Sequence, residues 1–194
     1  KAHQSYDLHA VVQKRICRHL MNLMLQILPE RNFKRVLEIG CGSGNLSHQL
    51  LQRLRIERLI LNDLYPEIQQ HFKTDENLEW LIGDIEQLAF PQALDLAVSS
   101  SALQWMADLK SVFRQAHQAL QPRGYFCFST FGQQNLQEIK ALTGQGLEYL
   151  TPAEIQRLLQ QSAAQQLYFA EAPGEAAQDS AAKQPLTDND IAVL

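Results

Sequence analysis

The chain has little cysteine. Cys17, Cys41 and Cys127 are its only three, odd in number and far apart. Neither a disulfide framework nor a zinc knuckle is expected from such a set, and no metal site. Positive charge is not in excess either: 17 Lys and Arg stand against 21 Asp and Glu, a formal net charge of −4. Non-specific nucleic-acid binding needs a basic surface to neutralise phosphates and is not expected. No apolar run approaches the roughly 18–20 residues that span a bilayer. The opening residues 1–15 lack the apolar core of a signal peptide. No internal repeat is visible. Collagen, coiled coil, membrane channel and secreted mini-protein are excluded, and the expected location is the cytoplasm.

What remains is an ordinary globular composition. The 194 residues are 45% hydrophobic and 20% charged, the balance of one soluble domain. Apolar residues from Leu8 to Leu28 recur in steps of three and four and predict a helix that Pro29 ends. The apolar stretch 35–40 stops in glycine and reads as a buried strand. Further strands are expected at 58–63, 78–82, 94–100 and 124–130, with helices at 45–54, 66–72 and 108–120 between them. Thr151 and Glu154 spell a capping box for a helix to about 163. Residues 167–170 offer a sixth strand and 191–194 one more.

Strand and helix alternate over residues 35–130. That order implies right-handed βαβ units and a Rossmann-like, doubly wound, mainly parallel sheet with helices on both faces. Ligands of such sheets bind beyond the carboxyl ends of the strands. The expected organisation is a single domain at 1–170, with a helical lid segment at 1–30 and a cofactor-binding core at 35–130. Residues 171–194 are rich in Ala, Gln, Asp and Pro and read as a polar loop or tail.

The informative segment is 38–44, where Gly40, Gly42 and Gly44 alternate between the first strand and a helix. Glycine lets backbone turn sharply and approach a ligand closely. A dinucleotide fingerprint would place its third glycine or alanine where Asn45 stands, and no Gly-Lys-Ser/Thr follows. The loop carries no cation for a phosphate and opens on an acid, Glu38. That suits a phosphate-free ligand with a cationic group, such as S-adenosylmethionine with its ammonium. Asp63 ends the second strand, 19 residues after Gly44, where a carboxylate accepts from ribose hydroxyls. At the third strand's end, Asp84 is placed to accept from an adenine amino group and Ile85 to cover the ring. Cys41, Leu64 and Ser99 complete the candidate cofactor-binding set. Cys41 reads as a small buried side chain rather than a nucleophile.

These segments, with Asp95 to Trp105, resemble the class I S-adenosylmethionine-dependent methyltransferases over residues 35–130. The resemblance implies a sheet of about seven strands, the last antiparallel. Residues 101–105, 128–131 and 135–139, with the opening Ser5 to Gln13, are similar to the malonyl-acyl-carrier-protein O-methyltransferases of biotin synthesis. The likeness loosens after Phe169, where a polar stretch replaces a helical segment and a strand.

The resemblance implies esterification of a malonyl carboxyl held on an acyl carrier protein. A carboxylate is ionised at pH 7 and needs no general base. No catalytic triad, paired acids or metal cluster is visible. Tyr6, Gln104, Trp105 and Phe131 are the candidate substrate wall, with Tyr6 in a lid ahead of the first helix. A carrier protein calls for a basic patch, and Lys14, Arg15, Arg18, Arg123 and Lys140 are the candidates. Alternatives are methylation of a free small acid such as trans-aconitate or of a quinone precursor, and a cofactor-binding module without turnover.

Overall fold

A computed structural model describes residues 2–73, 75–132, 149–162, 166–169 and 190–193; at 2–10, 166–169 and 190–193 only the backbone is described. Helix α1 spans Ala2–Ile27, followed by β1 (Asn32–Ile39), α2 (Ser47–Arg53) and β2 (Arg55–Asp63). A 3₁₀ turn (Pro66–His71) leads to β3 (Leu78–Ile82) and then β4 (Leu94–Ser100). A second 3₁₀ turn (Leu103–Trp105), α3 (Leu109–Ala119), β5 (Leu120–Ser129), α4 (Pro152–Gln161), β6 (Gln166–Phe169) and β7 (Asp190–Val193) complete the order.

The sheet runs β3-β2-β1-β4-β5-β7-β6. Strands β1 to β5 form its parallel body. Their residues alternate between two cores. Leu37, Ile39, Ala97, Phe126 and Phe128 pack under α3 and α4 with Val112, Phe113 and Leu159. Val36, Leu96, Val98 and Cys127 pack under α1 and α2 with Leu20, Met24 and Leu50. Central parallel strands are covered on both faces, which is why they read as unbroken apolar runs. The chain reverses its direction of travel across the sheet between β1 and β4, and that switch point opens a crevice at their carboxyl ends.

The direction of the last strand corrects an expectation. Strand β7 pairs parallel to both β5 and β6, so the antiparallel strand implied by the resemblance is not found among the described residues. A tight hairpin would force antiparallel pairing. Here residues 170–189 separate β6 from β7, and so long a connection imposes no such constraint. The first helix is also longer than its apolar pattern. It begins at Ala2, so Tyr6 lies within α1 rather than in a lid ahead of it.

Candidate functional site

The crevice is built from the turn after β1. Gly40 and Gly42 adopt φ of 70° and 51°, the left-handed region that glycine enters without penalty. A Cβ on Gly40 would lie 2.4 Å from that of Ala102, so this turn packs directly on the segment after β4. A Cβ on Gly42 would meet nothing within 4 Å among the described residues. The loop is thus closed on one side by protein and open on the other.

Two carboxylates frame it from adjacent strands. The Asp63 Oδ2 accepts from the Gly42 N–H at 2.8 Å, and Oδ1 from the Tyr65 N–H at 3.2 Å. An ionised carboxylate offers about four lone-pair positions, so about two stay available to the crevice. Glu38 is 1% exposed, on the α1/α2 face of β1, and its Oε2 has no hydrogen-bond partner among the described residues. Burial raises the Glu38 pKa to about 8; Ser47 opposes the rise and the Asp63 charge adds to it. A buried acid with one unpaired oxygen, beside open glycine backbone, fits the cationic head of S-adenosylmethionine, since a nearby positive charge would ionise and satisfy it. Cys41 is buried, and burial followed by the charges of Glu38 and Asp63 pushes its thiol up, away from the nucleophilic thiolate.

The other candidate positions divide. Leu64 is 54% exposed at the crevice beside the exposed Tyr65, which the sequence did not single out. The Asp84 Oδ1 accepts from the Glu86 N–H at 3.0 Å, holding the turn after β3. Ile85 is buried in the α3/α4 core. Ser99 is buried and donates to the Ile39 carbonyl at 3.0 Å, which ties β1 to β4 at the switch point. Glu86, which was not a candidate, accepts from the N–H groups of Ala107 and Asp108 at 3.0 and 2.5 Å. No local sequence signal marks it, because its partners are backbone amides 21 and 22 residues further along.

Gln104 and Phe131 meet at a cavity of about 360 Å³ with Leu103, Lys110, Tyr149 and Leu158. Phe131 and Tyr149 cross edge to face. The Gln104 Nε2 donates to the Ser101 carbonyl at 2.7 Å, while its Oε1 is buried and has no partner among the described residues. Trp105 does not line this cavity; it stands 69% exposed and is not core packing. The Tyr6 side chain, Lys140 and the 135–139 motif lie outside the description. Arg123 sits at the amino end of β5, near the start of β4, on the opposite edge from the crevice.

A methyltransferase-domain family model matches residues 37–128. Malonyl-acyl-carrier-protein O-methyltransferase of Acinetobacter baylyi is 48% identical over 162 residues, covering 84% of this chain and 63% of the relative. The Bacteroides helcogenes protein of that name is 34% identical, with 82% and 67% covered. The chain thus spans somewhat under two thirds of the Acinetobacter relative's length. Among solved structures, a Haemonchus contortus phosphoethanolamine N-methyltransferase complexed with phosphomonomethylethanolamine and S-adenosylhomocysteine has a TM-score of 0.61 at 17% identity, covering 75% of this chain and 36% of that one. That likeness establishes the Rossmann-like methyltransferase fold.

Proposed function

From the malonyl-acyl-carrier-protein O-methyltransferase family, to which the chain belongs, we propose that this protein transfers a methyl group from S-adenosylmethionine to the free carboxylate of a malonyl group on acyl carrier protein. The reaction would serve biotin precursor synthesis in the cytoplasm. The observation that carries the cofactor reading is the pair Glu38 and Asp63, standing at the tips of neighbouring strands around a cation-free glycine loop. Three free cysteines suit a reducing compartment. Among the described residues no helix is long and apolar enough to cross a membrane. Residues 1–170 are read as the catalytic domain.

When bound, S-adenosylmethionine supplies an electrophilic methyl on a sulfonium. The chain's task is then to bind and to aim. Asp63 would accept from the ribose hydroxyls with the lone pairs that Gly42 and Tyr65 leave over. Glu38 would meet the ammonium. Gly40, Cys41, Gly42 and Gly44 would bring backbone close, with Leu64 and Asp84 shaping the remaining wall, while Ile85 and Ser99 support it from the buried side. Gln104 and Phe131 at the neighbouring cavity are the residues read as lining the acceptor, with the exposed Trp105, which lies outside it, and Tyr6 of α1 as further candidates. An ionised carboxylate carries no proton to remove, so positioning and exclusion of water suffice without a base.

Mass spectrometry tests the reading. Malonyl-acyl carrier protein incubated with enzyme and donor is expected to gain one CH₂. Gain on trans-aconitate but not on the carrier would move the assignment to a free-acid methyltransferase. Donor binding with no acceptor methylated would leave a binding module.

A further inference from the structure

Helix α1 carries a feature that neither the cofactor crevice nor the acceptor cavity uses. Its buried stripe is Cys17, Leu20, Met21 and Met24. Val11, Lys14, Arg15 and Arg18 follow one another at i, i+3, i+4 and i+7, which puts them on one face of the helix. All four are exposed. No acidic residue occurs from Leu8 to Pro29 in a chain whose net charge is −4. The three cations have no ion-pair partner among the described residues. An unpaired basic face with an apolar residue in it, on an otherwise acidic protein, is a distinctive local charge pattern.

Its position is fixed by two contacts. The Cys17 thiol donates to the Ser100 hydroxyl at the carboxyl end of β4. Further along, Leu28 accepts from Arg31, whose own carbonyl accepts from the amide of Arg55 at the start of β2. Helix α1 therefore descends from the carboxyl edge of the sheet to the amino edge. Lys14 stands three residues before Cys17, about 4.5 Å of helix rise farther out, so the basic face flanks the rim of the crevice.

We propose that this face of α1 is the docking surface for the acidic acyl carrier protein that delivers the substrate. The inference rests on the carrier-bound acceptor read above and adds the place where the carrier sits. Charge of one sign on α1 attracts an acidic partner and orients it on approach. Arg123, on the far edge, takes no part.

The test compares wild type with the Lys14→Glu, Arg15→Glu, Arg18→Glu triple variant. Two acceptors are used: malonyl-acyl carrier protein and the short thioester malonyl-N-acetylcysteamine. The variant is expected to raise KM for the carrier about tenfold or more with kcat unchanged. Kinetics on the short thioester should stay the same, and wild-type KM for the carrier should climb with salt. The neutral Lys14→Gln, Arg15→Gln, Arg18→Gln variant should fall between. Equal carrier KM in wild type and triple variant would overturn the proposal, as would equal losses on both acceptors. So would sedimentation showing a wild-type dimer that the variant abolishes, because the face would then belong to a second copy. If wild type methylates neither acceptor, the functional reading fails by itself. Calorimetric carrier binding, weakened in the variant or not, still decides the docking surface.

Discussion

Asp63 holds the backbone N–H of Gly42 at 2.8 Å, so the acid at the tip of β2 shapes the glycine turn after β1 before any ligand arrives. One side chain thereby sets both the loop and a ligand-facing carboxylate. Asp63→Ala removes both functions. S-adenosylhomocysteine affinity should fall by about 1–3 kcal/mol, the range for hydrogen bonds to a charged group. Titration calorimetry reads this directly, and unchanged affinity would refute the ribose role.

The two glycines at the turn make opposite predictions. A side chain at Gly40 runs into Ala102 at 2.4 Å and keeps a positive φ. Gly40→Ala should cost about 2–5 kcal/mol of stability through overpacking and left-handed strain. At Gly42 the space is open, and Gly42→Ala should cost only about 1–2 kcal/mol from its backbone conformation. Its Cβ would occupy room reserved for the ligand, so cofactor binding should be lost from a folded protein. Thermal unfolding and calorimetry on the same samples separate the two; a Gly42→Ala protein that binds normally would make the loop merely structural.

Glu38 gives a pH dependence with a definite sign. Its folded pKa of about 8 lies above the ordinary value of 4.5, chiefly through burial. Between those values the folded state keeps a proton that the unfolded state has released. Stability conferred by this group is full below pH 4.5, declines as pH rises towards 8 and then levels off. The slope is at most about 1.4 kcal/mol per pH unit. Glu38→Gln should flatten that part of the stability profile in denaturant titrations. A cation bound beside Glu38 would ionise it, so ligand binding at pH 7 should release a proton. Calorimetry in buffers of different ionisation enthalpy should detect that release in wild type and a smaller one in Glu38→Gln.

Much of this architecture is written locally. Strands β3 and β4 occupy the residues that their apolar runs predict, 78–82 and 94–100. Thr151 and Glu154 form the capping box that their spacing announces. Features that depend on partners distant in sequence were not legible. Polar residues 2–7 have no apolar period, yet they continue α1. Strand β5 starts at Leu120, ahead of a Pro-Arg-Gly segment that reads as a break; a register shift and a positive φ at Arg123 absorb it. Asp63 and Glu38 were visible because they adjoin strand ends around a glycine turn. Glu86 was not, because its partners are backbone amides 21 and 22 residues away.

That long-range contact gives the last prediction. The Glu86 carboxylate accepts from two consecutive amides, Ala107 and Asp108, just before α3. It ties the turn after β3, where Asp84 stands, to the segment after β4 that carries Gln104 and Trp105. Glu86→Ala leaves both amides without their acceptor, though they lie near solvent and water replaces part of the bond. The expected loss of stability is therefore modest, about 1–2 kcal/mol. The effect on turnover should exceed what stability explains, because the acceptor segment loses its anchor while the Asp63 and Gly42 contact is untouched. Cofactor affinity should stay within about twofold of wild type, while KM for the acceptor rises. Glu86→Gln, whose carbonyl oxygen still accepts, should recover much of the loss. A variant that weakens cofactor and acceptor equally would show that Glu86 only supports the fold.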